Sequence, residues 1–259
     1  MNCPICSAAP AETFPARFVT AQKCSGCGHI YAQDPVARQG VQLLPEPNDM
    51  LDQYAARNKR LINFWLQSGF MNANSAVLDF GAGSGHILRS LKQLVPSIEI
   101  SCIEADATAS AFLRSQAFTV FDTLEQAPTG SFDAIILIEL LEHVNDPVSL
   151  LVEIKQRLRP GGRIFATTPC GETRSGYRRT AAYDVPEHVE FWTEKSFQLL
   201  CEKTGLTFRP VPQRVMSPRK TLNRCAYETL RTMRDSVMGI RYLVGFLECA
   251  PANSRRTNV

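Results

Sequence analysis

Val77-Leu78-Asp79-Phe80-Gly81-Ala82-Gly83-Ser84-Gly85 decides how the rest of this chain is read. Val77 to Phe80 is a short apolar run of the kind that forms a strand buried on both faces. Glycines at three alternate positions follow, and His86-Ile87-Leu88-Arg89-Ser90-Leu91 then opens a helical pattern. Strand, glycine turn and helix start together predict a ligand cradle. Gly81 and Gly83 let the backbone turn and let a ligand come close, and the helix start offers unpaired N–H groups to an anion. The dinucleotide fingerprint would need Gly or Ala directly after Gly85, where this chain has His86.

Downstream of the loop, Ile87 to Val95 predicts a helix ended by Pro96, and Ile98 to Ile103 a second strand with Glu104 at its C-terminal end. An acid about twenty residues past the glycines is placed to accept both hydroxyls of a ribose. Asp106 is the other candidate; Glu104 is preferred because it directly follows the apolar strand. Ala109 to Ala117 reads as a helix and Phe118 to Phe121 as a third strand, followed by Asp122. Phe132 to Ile138 is a buried fourth strand that runs into Glu139-Leu140-Leu141-Glu142-His143. An amphipathic helix over Val148 to Leu158, the turn Arg159-Pro160-Gly161-Gly162 and a fifth strand over Arg163 to Thr168 come next. Strands alternating with helices in this way predict an α/β, Rossmann-like, doubly wound and mostly parallel sheet.

The Gly-x-Gly-x-Gly loop preceded by Asp79, with the Leu-Glu-His-Val, Asp-Pro and Pro-Gly-Gly elements at their spacings, resembles the class I S-adenosylmethionine (SAM)-dependent methyltransferases. The resemblance is to the branch that holds the ubiquinone-biosynthesis O-methyltransferases and many sugar and natural-product methyltransferases, and it covers about Tyr54 to Phe208. It implies SAM as cofactor, held by Asp79, Gly81, Gly83, Gly85, Glu104 and Asp122, with Asp122 beside the adenine. It also implies that a helix beginning near Met50 closes over the cofactor, so that Tyr54 either touches SAM or simply packs. Methyltransferases acting on base amino groups carry an Asn/Asp-Pro-Pro-Tyr/Phe tetrad after strand four; Ile138-Glu139-Leu140-Leu141 stands there instead. The end of strand four lies beside the transferred methyl in this family, which brings Glu139, Glu142 and His143 to the site. Their i, i+3, i+4 spacing predicts one face of a helical turn. In some relatives an equivalent set holds a divalent metal, so the set reads as Mg²⁺ ligands, as a base at His143, or as structural hydrogen-bonding groups. His188 is the second candidate base, after a polar loop over 172–187.

At the N-terminus, Cys3-Pro4-Ile5-Cys6 and Cys24-Ser25-Gly26-Cys27-Gly28 have the paired spacing of a zinc ribbon. Cys3, Cys6, Cys24 and Cys27 would close a tetrahedral shell around a structural Zn²⁺, and His29 is a weaker competitor because four thiolates already fill it. Nine cysteines, an odd number, argue against a disulfide framework. The expected organisation is a ribbon at 1–32, a linker at 33–49, a methyltransferase core at 50–215, a C-terminal amphipathic helical segment at 216–249 and an unstructured tail at 250–259. The family's seventh, antiparallel strand has only Gln213 to Met216 as a candidate. In the helical segment Leu222, Ala226, Leu230, Met233, Val237, Ile240 and Val244 trace one face and Arg224, Arg231, Arg234 and Arg241 an adjacent one.

The net charge of +3 is too small to signal a nucleic-acid binder by itself. No apolar run is long enough for a bilayer and the first residues lack a signal peptide's apolar core, so a cytoplasmic enzyme is expected. The expected partner is a small-molecule or glycan acceptor, methylated at oxygen. An RNA methyltransferase, with ribbon and basic helix gripping the nucleic acid, and a non-catalytic SAM-binding scaffold are the alternatives.

Overall fold

The computed structural model describes residues 2–16, 18–33, 48–171, 187–211 and 242–249, with 48–53 as backbone only. Residues 34–47, 172–186, 212–241 and 250–259, where a linker, a polar loop, a basic helical face and an unstructured tail are expected, lie outside the described residues. So does Gln213 to Met216.

A seven-stranded sheet forms the centre. Its strands are β4 (Ala76–Phe80), β5 (Glu99–Ile103), β6 (Thr119–Phe121), β7 (Phe132–Ile138), β8 (Leu158–Pro169), β10 (Leu206–Pro210) and β11 (Tyr242–Cys249), in the order β10-β11-β8-β7-β4-β5-β6. The strands from β8 to β6 run parallel, and β11 inserts antiparallel between β8 and β10. Helices α1 (Asn48–Gln67), α2 (His86–Leu94), α3 (Ala107–Ser115), α4 (Pro147–Arg157) and α5 (Glu194–Lys203) accompany it. The sheet reverses its winding between β4 and β7, the place where open α/β sheets bind ligands beyond the carboxyl ends of their strands. This is the expected Rossmann-like architecture.

Local chemistry accounts for the helix starts. Asp106 caps α3 by accepting the Ala109 N–H at 2.8 Å. Asp146 caps α4 through the Ser149 N–H at 3.0 Å, with Pro147 opening the first turn. Thr193 and Ser196 form a reciprocal capping box on α5. α2 buries Ile87, Leu88 and Leu91 on one face. The middle of β7, Ala134 to Leu137, is fully buried, as a central strand covered on both faces must be.

Two expectations are corrected here. The helix expected over 216–249 is not what 242–249 forms: Tyr242 to Cys249 is strand β11, and Val244 is a strand residue. β11 also supplies the seventh strand. Leu243, Val244, Phe246 and Leu247 are all buried, and Phe246 packs on Phe165 with ring centroids 5.5 Å apart. Because both faces are covered the run is continuously apolar, and the alternation that marks a half-exposed strand is missing.

The N-terminal sheet is formed by β1 (Pro10–Pro15), β2 (Thr20–Cys24) and β3 (Ile30–Ala32), but its fourth strand, β9 (Glu190–Phe191), comes from the core. Ile30 pairs with Phe191 and Tyr31 with Glu190. The ribbon cysteines share one buried cluster with Trp192, Phe197 and Cys170 of the core. The ribbon is therefore packed into the core, not carried as an appendage.

Candidate active site

Four pieces of chain meet at the carboxyl ends of the central strands: the glycine loop after β4, the acid after β5, the turn after β7 and the segment before β9. In the loop, Gly81, Gly83 and Gly85 have φ of 80°, 55° and 73°, in the left-handed region where a side chain is costly. A Cβ on Gly81 would also lie 3.0 Å from Leu140 Cδ1, so the loop passes directly against the turn after β7.

Glu104, largely buried, sits under this loop. Its Oε2 accepts the Gly83 N–H at 2.7 Å and its Oε1 the Asp106 N–H at 2.8 Å. Asp106 is occupied as a helix cap, which leaves Glu104 as the acid facing the cradle. Burial, helped by the Glu104 charge, pushes the Asp79 carboxyl up to about 7. Asp122 follows β6 at the same edge, but its carboxylate is exposed and paired with Arg114 at 2.8 Å. α1 lies over the loop: Tyr54 stacks on His86 at 4.5 Å, Arg57 covers the Tyr54 ring at 4.7 Å, and Asn58 donates to the His86 carbonyl at 3.1 Å. Burial, then the charges of Arg57 and Arg89, hold the His86 imidazole down at about 4. Arg57 and Asn58 were not singled out from the sequence. Their only signal there is polarity on the buried side of an amphipathic helix.

The turn after β7 departs from the expected geometry. Glu139 has φ of 52°, unusual for a residue with a side chain, and only Leu141–His143 continues, as a 3₁₀ turn. The i, i+3, i+4 face of an α-helix is therefore not formed. Glu139 Oε1 accepts the Thr167 hydroxyl at 2.8 Å, and burial raises its carboxyl to about 7 against the lowering effects of that bond and of Arg57.

Glu142 and His143 are joined instead by His188. Glu142 is buried, its Oε2 accepting the Thr168 hydroxyl at 2.8 Å. Its Oε1 lies 4.0 Å from Nε2 of His143 and 4.0 Å from Nε2 of His188, and the two rings approach at 4.8 Å with an interplanar angle of 76°. At 4.0 Å neither imidazole nitrogen is within hydrogen-bonding distance of Oε1. His143 Nδ1 is 3.1 Å from the Glu187 carbonyl; that oxygen can only accept, so Nδ1 carries a proton, and in the neutral ring Nε2 presents its lone pair. The ligand atoms of Glu142, His143 and His188 lie within 4.8 Å of one another, a set able to hold a divalent cation.

A second set is formed by Cys3, Cys6, Cys24 and Cys27. Their sulfurs lie 3.6 Å (Cys3–Cys27), 3.3 Å (Cys6–Cys24) and 3.6 Å (Cys6–Cys27) apart. Four thiolates about 2.3 Å from a tetrahedral zinc would be spaced by about 3.8 Å, so the set fits that ion with little adjustment. The Gly26 and Cys27 amides point at Cys24 Sγ from 3.3 and 3.5 Å. Burial pushes Cys27 up to about 11; at Cys24 burial acts the same way, but the amides and the Cys6 contact outweigh it and hold that thiol at about 7. His29 does not compete for the ion: its ring is turned away, into the core.

Comparison with known proteins agrees with this geometry. Residues 50–211, more than half of the chain, match the family model described as a methyltransferase domain. The ubiquinone biosynthesis O-methyltransferase of Xanthomonas oryzae is 31% identical over 182 residues, covering 60% of this chain and 76% of that protein. Its counterpart from Nitrosococcus oceani is 27% identical over 170 residues, covering 55% and 71%. Among solved structures, a SAM-dependent methyltransferase from Archaeoglobus fulgidus aligns with a TM-score of 0.52 at 16% identity, over 76% of this chain and 94% of that one. A geranyl diphosphate methyltransferase in complex with SAM aligns at 0.54 and 15% identity, over 80% and 93%. At these identities the structures speak for the fold alone. No helix among the described residues is long and apolar enough to cross a membrane.

Proposed function

The chain belongs to the class I SAM-dependent methyltransferases, and from that premise we propose that it methylates a hydroxyl oxygen of a small-molecule or glycan acceptor, with Glu142, His143 and His188 handling the hydroxyl. The observation that carries this reading is the convergence of Glu142 Oε1 with two imidazole Nε2 atoms beside the glycine loop. The O-methyltransferase activity in the names of the Xanthomonas and Nitrosococcus relatives supports the choice of oxygen.

SAM supplies an electrophilic methyl, so the protein has to orient the acceptor and accept its proton. In the proposed arrangement the positive-φ glycine loop leaves backbone space for the cofactor, Glu104 accepts the ribose hydroxyls, and Asp79 faces the cofactor's cationic end. His143, its Nδ1–H tied to a carbonyl, takes the proton on Nε2, and Glu142 stabilises the resulting imidazolium. The same three side chains form an N₂O set acceptable to Mn²⁺ or Zn²⁺ as well as to Mg²⁺. A cation there would lower the pKa of the acceptor hydroxyl. Zn²⁺ held by Cys3, Cys6, Cys24 and Cys27 would have no open position and would be structural.

The test is a SAM-turnover screen over nucleotide sugars, polyols, catechols and RNA, with EDTA and with added Mg²⁺. Turnover on a hydroxyl compound supports the reading; turnover on RNA alone overturns it. Loss with EDTA that Mg²⁺ alone restores, with the zinc content of the four cysteines unchanged, assigns the set as ligands. Indifference to EDTA, with a loss of about 10²–10⁴-fold in His143→Ala, assigns the base.

A further inference from the structure

His29 has a place in the molecule that neither the four-thiol set nor the proposed methyl-transfer site uses. It is fully buried, with Nε2 2.5 Å from Glu190 Oε2 and Nδ1 3.1 Å from Ser196 Oγ. Ser196 Oγ donates to the Thr193 carbonyl at 3.1 Å and accepts the Thr193 N–H at 3.0 Å. His29 Nδ1–H is therefore the donor to it, and Nε2 faces the Glu190 carboxyl. The imidazole lies on Trp192 at 4.6 Å. A histidine and a glutamate drawn out of water from positions 161 residues apart are costly unless paired, and their pairing fixes one register between the two segments.

The surrounding backbone shows which register. The Ala32 N–H donates to the Val189 carbonyl at 2.8 Å, and the Val189 N–H donates to the Glu142 carbonyl at 2.8 Å. Val189 is thus held between the ribbon on one side and the turn carrying Glu142 and His143 on the other, and His188 is the residue directly before it. On the ribbon side, the Cys24 N–H donates to the His29 carbonyl at 2.8 Å and the Gly28 N–H to the Cys24 carbonyl at 3.2 Å. The turn that presents Cys24 and Cys27 is the turn that carries His29. β9 is only two residues long, far shorter than a strand that holds its own place, so its position depends on these partners.

We infer that the ribbon is a positioning element for the methyl-transfer site, with His29 and Glu190 as positioning residues that hold His188 against Glu142 and His143. The inference rests on those three residues forming the site, and it adds a reason for the ribbon to be present in a small-molecule enzyme. Distortion of the thiolate knuckle then reaches His188 through His29, Glu190 and Val189, without passing through the SAM cradle.

The chain has four histidines, so their ring signals can be assigned by single substitutions in the zinc-loaded protein. In the wild type, the His143 and His188 rings are close enough for a mutual nuclear Overhauser contact. His29→Ala and Glu190→Ala are expected to shift both signals and abolish that contact, while the His86 signal and SAM affinity by calorimetry stay as in the wild type. Glu190→Gln, whose amide can still donate to His29 Nε2, is expected to restore the wild-type spectrum. Should either alanine variant fail to fold, Ser196→Ala, which removes the Nδ1 partner of His29 together with the capping box of α5, is expected to shift the same two signals by less. Unchanged His143 and His188 signals in a folded variant overturn the inference, as does a loss of SAM affinity equal to the loss of the ring contact. The readout involves no turnover, so a failed acceptor screen leaves this test intact.

Discussion

Asp79 offers a quantitative handle on the cofactor cradle. The residue is 4% exposed, and burial together with the Glu104 charge raises its carboxyl to about 7. A carboxyl raised in the folded state contributes stability below its unfolded value near 4 and loses that contribution as pH rises through 7. The free protein is thus strained by this charge at neutral pH, and a cationic ligand beside it relieves the strain. If only the ionised form receives the cationic end of SAM, apparent affinity scales with the ionised fraction, about one tenth at pH 6 and about three quarters at pH 7.5. The expected gain is about eightfold, or about 1.2 kcal/mol. Above about pH 8 the cofactor's own amine loses its proton and the gain stops. Calorimetry at closely spaced pH values reads this directly, and buffers of different ionisation enthalpy should reveal proton release near pH 6.5. Asp79→Asn should flatten the profile. A wild type with pH-independent affinity, or an Asp79→Asn variant with the same slope, would refute the reasoning.

Gly83→Val places a β-branched residue at φ of 55°, so SAM binding should collapse in calorimetry while the circular dichroism spectrum of the fold persists. Glu104→Ala should weaken SAM by about 1–3 kcal/mol, the range for losing hydrogen bonds to a charged acceptor. Thr168→Val removes the hydroxyl that Glu142 Oε2 accepts and leaves a buried carboxylate short of a donor. It should cost about 1–3 kcal/mol in denaturant unfolding. Elemental analysis should find one zinc per chain bound to the four cysteines; its removal should loosen the ribbon and β9 together, seen as faster amide exchange at Ala32 and Val189.

The fold was legible wherever burial and backbone need wrote themselves into neighbouring residues. Val77 to Phe80, Phe132 to Ile138 and the alternate glycines are local signals, and they place the cradle and the central strands. Tyr242 to Cys249 was not legible, because a run apolar on both faces also supplies the spacing of an amphipathic helix. The site was half legible. Glu142 and His143 are neighbours in the turn after β7, but the helical face expected from their spacing is not formed: the positive φ at Glu139 and the 3₁₀ turn divert the first carboxylate to Thr167. The third member, His188, comes from another segment, and nothing near it in sequence points to Glu142. His29 shows the same limit: beside two cysteines it reads as a rival metal ligand, and only its distant partner Glu190 shows where its ring is held.

Methyl transfer to oxygen is the claim on which the rest depends. Carbon-13 labelling of the transferred methyl of SAM, followed by nuclear magnetic resonance of the products from the acceptor screen, reads the atom that receives it. The account predicts a labelled O–CH₃ signal in a small-molecule or glycan fraction, lost in His143→Ala while SAM still binds. A labelled methyl found on nitrogen or carbon, or only on RNA, would contradict it.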